Sequence, residues 1–251
     1  MKTSNIKAFT LVELATVLVI ISLVIGGILV GQNVIKNSQL TTFVGQIRET
    51  ENAFYSFQEK YAQLPGDMTN AYDYWGSDCA GSAGNCNGDG NSEVDTAETY
   101  KAWKHLALAE YIDGGFETLT NDSATCERRK NVPAFAIDKA TAIFEFVGAS
   151  ETNDGISASR TPPLQFIVFG LENEAAAASC ADSGILTSQD LYLIDNKIDD
   201  GLAYDGSILN SENVSDGLGC STSTGTSDDG TYDLANSGQR LCRLFLTVEI
   251  Q

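Results

Sequence analysis

The chain has 251 residues, 34 acidic against 15 basic, and a formal net charge of −19. Such an acidic surface repels polyanions and argues against binding of nucleic acid or anionic membrane by the soluble part. The length allows one or two domains and a well-buried core.

The informative stretch comes first. From Phe9 to Val30 there are 22 residues, and Glu13 is the only charge among them. That length suits one crossing of a bilayer as an α-helix. Lys2 and Lys7 precede it, which places the short N-terminus in the cytoplasm and exports the remainder. An isolated charge in a membrane helix costs roughly 2.5–3.5 kcal/mol on insertion scales, so Glu13 calls for a partner.

Ala8-Phe9-Thr10-Leu11-Val12-Glu13 resembles the cleavage and methylation site of type IV pilins and type II secretion pseudopilins. The resemblance implies cleavage between Ala8 and Phe9 by prepilin peptidase, then N-methylation of Phe9. It implies that Glu13 meets the N-terminal amine of a neighbouring subunit during filament assembly. The family usually has Gly before the cut, where this chain has Ala8, the next smallest residue. An ordinary secretory signal would be cut after the apolar run at a small-residue site, and Leu29-Val30-Gly31-Gln32-Asn33 matches that poorly.

Beyond the span, Ile35, Phe43, Ile47, Phe54, Phe57 and Tyr61 recur at helical spacing with polar residues between them. The helix is expected to run without Pro from Phe9 to about Tyr61, roughly 80 Å at 1.5 Å per residue. Leu64-Pro65-Gly66-Asp67 ends it. Gly27-x-x-x-Gly31 offers a place for close helix approach in the membrane, or merely weakens the helix. The L-P-G-D segment is similar to the connection after the long helix of many pseudopilin-like proteins. Tyr72, Tyr74 and Trp75 behind it are expected to cover the helix.

Asn85 to Glu93 imitates the start of a calcium loop, with Asn87, Asp89, Asn91 and Glu93 as candidate ligands and Gly90 at the turn. The twelfth position is Thr96 rather than an acid, and a turn rich in Asn, Asp and Gly needs no metal. Both readings stand at this stage, and no other cofactor is indicated. Tyr100 to Ile112 reads as a helix with Trp103, Leu106, Ala107 and Tyr111 on one face. The single histidine, His105, lies off that face and is assigned to surface or packing.

Ala142–Val147 and Leu164–Leu171 are rich in Ile, Val and Phe and read as strands. Gln189–Ile194 reads as a short element, with Leu191, Leu193 and Ile194 facing a core. Ile194-Asp195-Asn196-Lys197-Ile198-Asp199-Asp200-Gly201 is similar to an I-D-x-K-x-D-D-G segment of pseudopilin-like proteins. Its acids suit a turn better than a calcium site. Val214–Gln239 is a long polar loop, and Leu241–Ile250 alternates as a half-buried terminal strand.

Six cysteines in an exported domain read as disulfides, with about 15 full pairings open. Nearness along the chain suggests Cys79 with Cys86 and Cys220 with Cys242, leaving Cys126 with Cys180. The second pair would close the C-terminal loop as pilin-family members often do.

The expected architecture is α+β and pilin-like, a long N-terminal transmembrane and amphipathic helix packed on an antiparallel β-sheet domain. Residues 1–8 would be the leader, 9–30 the transmembrane helix, 31–62 its amphipathic extension and 63–251 the periplasmic domain. The expected partners are other pilin or pseudopilin subunits, the prepilin peptidase and an inner-membrane assembly platform, with no nucleic acid. A minor pilin acting as tip adhesin or secretion-substrate receptor is the second reading. A membrane-anchored periplasmic enzyme ranks last, since no nucleophile motif, metal cluster or phosphate loop is recognisable in the sequence.

Overall fold

A computed structural model describes residues 10–95, 97–117, 126–147, 164–172, 180–211, 219–222, 230–236 and 238–250. Its longest element is α1, Leu11–Tyr61, 51 residues without proline. Two compact units share this helix, Met1–Thr41 and Thr42–Gln251. In the first unit the apolar residues from Leu11 to Ile35 are exposed, Leu11 at 86% and Leu23 at 74%. The helix is long and apolar enough there to cross a membrane.

In the second unit the same helix turns amphipathic. Phe43, Ile47, Thr50, Phe54 and Phe57 follow one another by three or four residues, and all are buried. The helix stops at Ala62, which takes the left-handed conformation (φ 51°) while its N–H still bonds the Gln58 carbonyl at 2.9 Å. Pro65 lies three residues beyond the stop.

The helix packs on a four-stranded antiparallel sheet of order β1-β2-β4-β3. Its strands are β1, Ala140–Val147; β2, Leu164–Leu171; β3, Ile208–Ser211; and β4, Arg243–Val248. Ala142 pairs with Phe169, and Phe169 with Leu244, so these three share a face. Phe43 meets Phe169 edge-on at 5.6 Å and Phe54 stacks on Phe144 at 5.8 Å, so this face receives α1. The opposite face carries Phe166 against Phe245, edge to face at 5.8 Å.

The terminal strand differs from its expected half-buried state. β4 lies between β2 and β3 and is buried on both faces: Leu244 and Leu246 on one, Phe245 on the other. The sequence alternates, but Arg243 and Phe245 on its second face are buried too, because an interior strand has no free edge and both its faces are covered. β3 escaped the sequence reading; four residues, Ile-Leu-Asn-Ser, are too few to show a period.

The remaining helices are α2, Ala71–Trp75; α3, Ala83–Cys86; α4, Thr99–Leu108; and α5, Ser188–Ile198. α4 covers the open edge of β1. Trp103 Nε1 donates to the Ala142 carbonyl at 3.0 Å, and Thr99 Oγ1 accepts from the Phe144 N–H at 2.6 Å. Backbone groups that an edge strand would leave unpaired are thereby satisfied. The buried face of α4 is Thr99, Ala102, Trp103 and Leu106 rather than the face ending at Tyr111, since the helix ends at Leu108. His105 is fully buried, and Leu193 on α5, expected in the core, is 48% exposed. α5 turns its other side inward, burying Leu191, Ile194 and Asp195.

Disulfides join Cys79–Cys86, Cys126–Cys180 and Cys220–Cys242. They close loops around the sheet, and each removes freedom from the unfolded chain.

Candidate functional site

Two regions carry the chemistry. The first is the start of α1. Thr10 Oγ1 accepts from the Glu13 N–H at 3.2 Å, and Glu13 Oε2 accepts from the Thr10 N–H at 2.8 Å. That reciprocal pair is a capping box, built from the Thr-x-x-Glu spacing. Thr10 Oγ1 also donates to the same carboxylate oxygen at 2.9 Å. Glu13 therefore has a local task beyond the one implied by the family resemblance, and the Thr10–Glu13 spacing is the sequence signal that announces it. Ala8 and Phe9 lie outside the described residues.

The second region is the joint after α1, where four segments converge. Gly66 has φ 95°, and a Cβ built there would lie 2.9 Å from the Glu98 carbonyl oxygen and 3.0 Å from Ala102 Cβ. Only glycine meets both demands, conformation and closeness. The Gly66 N–H donates to His105 Nδ1 at 3.0 Å, and His105 Nε2 pairs with the Cys86 carbonyl at 2.9 Å. With a donor at Nδ1, the ring must carry its proton on Nε2. Phe57 stacks on the ring at 6.2 Å and Trp75 lies at 5.3 Å. Burial holds the imidazole pKa down to about 4.

Asp67 completes the joint. Its Oδ1 accepts from the N–H groups of Gly90 at 2.5 Å and Asn91 at 3.1 Å, and its Oδ2 from Ser92 at 2.9 Å. The loop read as calcium-like thus turns its backbone N–H groups onto a carboxylate. Its alternating side chains serve the backbone as well: Asn87 Oδ1 accepts from Tyr72 N–H at 2.8 Å, Asp89 Oδ1 from Asn91 at 3.1 Å, and Asn91 Oδ1 from Glu93 at 2.8 Å. Of the four candidate ligands, Asp89 comes together with other acids, which are Asp67 and Glu98. One oxygen from each of these three lies within 4.8 Å of the others.

Glu98 precedes the first turn of α4 and is 5% exposed. Its Oε1 accepts from the Asp89 N–H at 3.0 Å, while its buried Oε2 has no hydrogen-bond partner among the described residues. Burial pushes its pKa up to about 7; Asp67 and Asp89 add to the push, and the Asp89 N–H and Lys101 oppose it. Neither Asp67 nor Glu98 was singled out as a ligand from sequence. Their partners lie 9 to 25 residues away, and backbone N–H donors leave no residue signature.

The I-D-x-K-x-D-D-G segment makes a different use of its acids. Asp195 Oδ2 accepts from the Tyr232 hydroxyl at 2.6 Å and Oδ1 from Gly201 N–H at 3.2 Å. Asp199 accepts from Ser207 and Ile208, and Asp200 from Leu202, all through backbone N–H groups. These carboxylates organise the turn between α5 and β3. Cys79, Cys86 and His105 also cluster, but both sulfurs are spent in a disulfide and both ring nitrogens are hydrogen-bonded.

Comparison with protein-family models, curated proteins and solved structures gives no match to this chain.

Proposed function

We propose that the chain is a structural subunit of a type IV pilus or a type II secretion pseudopilus, with no catalytic role. It would be processed by prepilin peptidase, held in the inner membrane with its domain in the periplasm, and passed by an assembly platform into a filament. The observation that carries this reading is the division of one helix. Its N-terminal part is apolar, exposed and charged only at Glu13, whereas Phe43 to Phe57 belong to the core of the domain.

Such a helix has two stable settings. In a bilayer its apolar side chains face lipid. Outside one, each exposed Leu, Val or Ile would cost about 1.5–3 kcal/mol in water, so the helix leaves lipid only into a bundle of its own kind. Inside the bilayer, lipid is as apolar as leucine, and helix pairing rests on close packing and polar contacts. Glu13 supplies the polar contact, by pairing with the Phe9 amine of a neighbour. The pair fixes register, because a carboxylate in an apolar bundle is costly anywhere else.

Intact mass and N-terminal sequencing of the protein from its native membrane test the reading. A chain beginning at N-methylated Phe9 is expected; one retaining Met1, or cut after Val30, refutes it. The size of the unit Thr42–Gln251 favours a minor subunit as a second reading. Trace rather than abundant recovery in isolated filaments would select it.

A further inference from the structure

We propose that Asp67, Asp89 and Glu98 bind a calcium ion that ties together the turn after α1, the loop 87–95 and the start of α4. Two separate observations meet here. Three carboxylates, one on the turn after α1, one in the loop 87–95 and one at the start of α4, place oxygens within 4.8 Å of one another. Independently, Glu98 is 5% exposed and holds a buried oxygen, Oε2, with no hydrogen-bond partner among the described residues. A buried, unpartnered carboxylate oxygen is costly unless a proton or a cation meets it.

The local charge favours a cation. The neighbouring positive group is Lys101, whose ammonium donates to the Asn87 carbonyl at 2.8 Å. It offsets one carboxylate of three. His105, close by on the same helix, has both nitrogens occupied and adds no charge at neutral pH. The donors are all hard oxygens, which excludes the thiolate and imidazole chemistry of zinc or copper sites. Their origin in three segments, with Asp89 exposed, suits an ion that accepts irregular geometry and completes its shell with water. Calcium does so at 2.3–2.6 Å with 6–8 ligands, whereas magnesium demands a near-ideal octahedron. The ligands differ from those the loop sequence suggests: Asn87 and Asn91 spend their amide oxygens on backbone N–H groups, and Asp67 and Glu98 come from outside the loop.

The proposal is independent of filament assembly, so its test needs only the folded chain. Full-length protein in detergent is stripped with chelator, desalted and titrated with calcium chloride by calorimetry, and its thermal unfolding is followed in parallel. One calcium per chain and a saturable rise in unfolding temperature are expected. Glu98→Gln keeps the bond to the Asp89 N–H, and Asp89→Asn alters an exposed side chain. Each is expected to weaken calcium on the order of tenfold or more. Asp200→Asn, in the other acidic cluster, is expected to leave it unchanged.

Absence of saturable binding at millimolar calcium overturns the proposal, as does unaltered binding in Glu98→Gln or loss of binding in Asp200→Asn. A magnesium response equal to that of calcium overturns the choice of ion. If burial simply keeps Glu98 protonated, wild type and Glu98→Gln will both ignore calcium, which also overturns it.

Discussion

The Gly66 N–H donates to Nδ1 of His105 at 3.0 Å, tying the turn that ends the long helix to the last turn of α4. Protonation of the ring would set a second donor against that N–H, in a pocket closed by Phe57 and Trp75. The imidazole therefore titrates at about 4 in the fold, against 6.5 for its ordinary value, with burial as the main cause. Because the folded value is depressed, the contribution of His105 is complete above pH 6.5 and is lost as pH falls towards 4. His105→Phe fills the space without either hydrogen bond. It should cost roughly 1–3 kcal/mol at pH 7, from the stranded Gly66 N–H and Cys86 carbonyl. Urea midpoints between pH 4 and 7.5 should show the mutant-to-wild-type difference shrinking on acidification; a constant difference would contradict this tautomer and its burial.

Gly66 itself is the second test. Alanine there meets a left-handed backbone and the Glu98 carbonyl at 2.9 Å. Strain of this kind costs on the order of 1–3 kcal/mol. Ala62, also left-handed at φ 51° but in a position where glycine would be at ease, should respond in the opposite direction. Gly66→Ala is expected to lower the unfolding midpoint, and Ala62→Gly to raise it by roughly 0.5–1 kcal/mol of stability. Equal and small effects at both sites would mean that the turn relaxes freely.

Asp195 runs against His105 in its pH dependence. Burial raises its carboxyl to about 7 although Tyr232 and the Gly201 N–H both favour the ionised form, and Asp199 and Asp200 add to the rise. With the folded value above the unfolded one, the native state holds the extra proton. Stability from this group is full below about pH 4 and declines as pH climbs towards 7. Asp195→Asn removes the charge while keeping a partner for Tyr232. Wild type should lose stability relative to this variant between pH 4 and 7, by a few kcal/mol at most. Parallel curves for the two proteins would show that Asp195 is ionised throughout.

The amino-acid pattern made the long helix and strands β1, β2 and β4 legible, because each has an uninterrupted apolar run or a period that its surroundings enforce. Leu64-Pro65-Gly66-Asp67 was legible as a stop, but the stop itself is Ala62, whose left-handed backbone no propensity announces. The acidic joint was half legible. Asp89 stood out within a familiar-looking loop, whereas Asp67 and Glu98 gain their significance from N–H groups and burial that exist only once α4 lies against the turn. His105 looked idle for the same reason: its two partners are backbone atoms 39 and 19 residues away.

Glu13 separates two roles that an alanine substitution confounds. It caps α1 through Thr10, and in the proposed filament it pairs with the amine of a neighbour. Glutamine at the third helical position still completes a capping box but carries no charge. Glu13→Ala should impair both functions, because it removes the side chain's bonds to the Thr10 N–H and hydroxyl while the bond from the backbone N–H of residue 13 to Thr10 Oγ1 survives. Glu13→Gln should keep the helix start and its insertion in the membrane, as read by fractionation and by helicity in detergent. If an ion pair drives incorporation, filament yield from Glu13→Gln will fall as far as from Glu13→Ala. If yield is normal in Glu13→Gln and low in Glu13→Ala, the carboxylate serves the helix end alone, and register must come from packing of the apolar face.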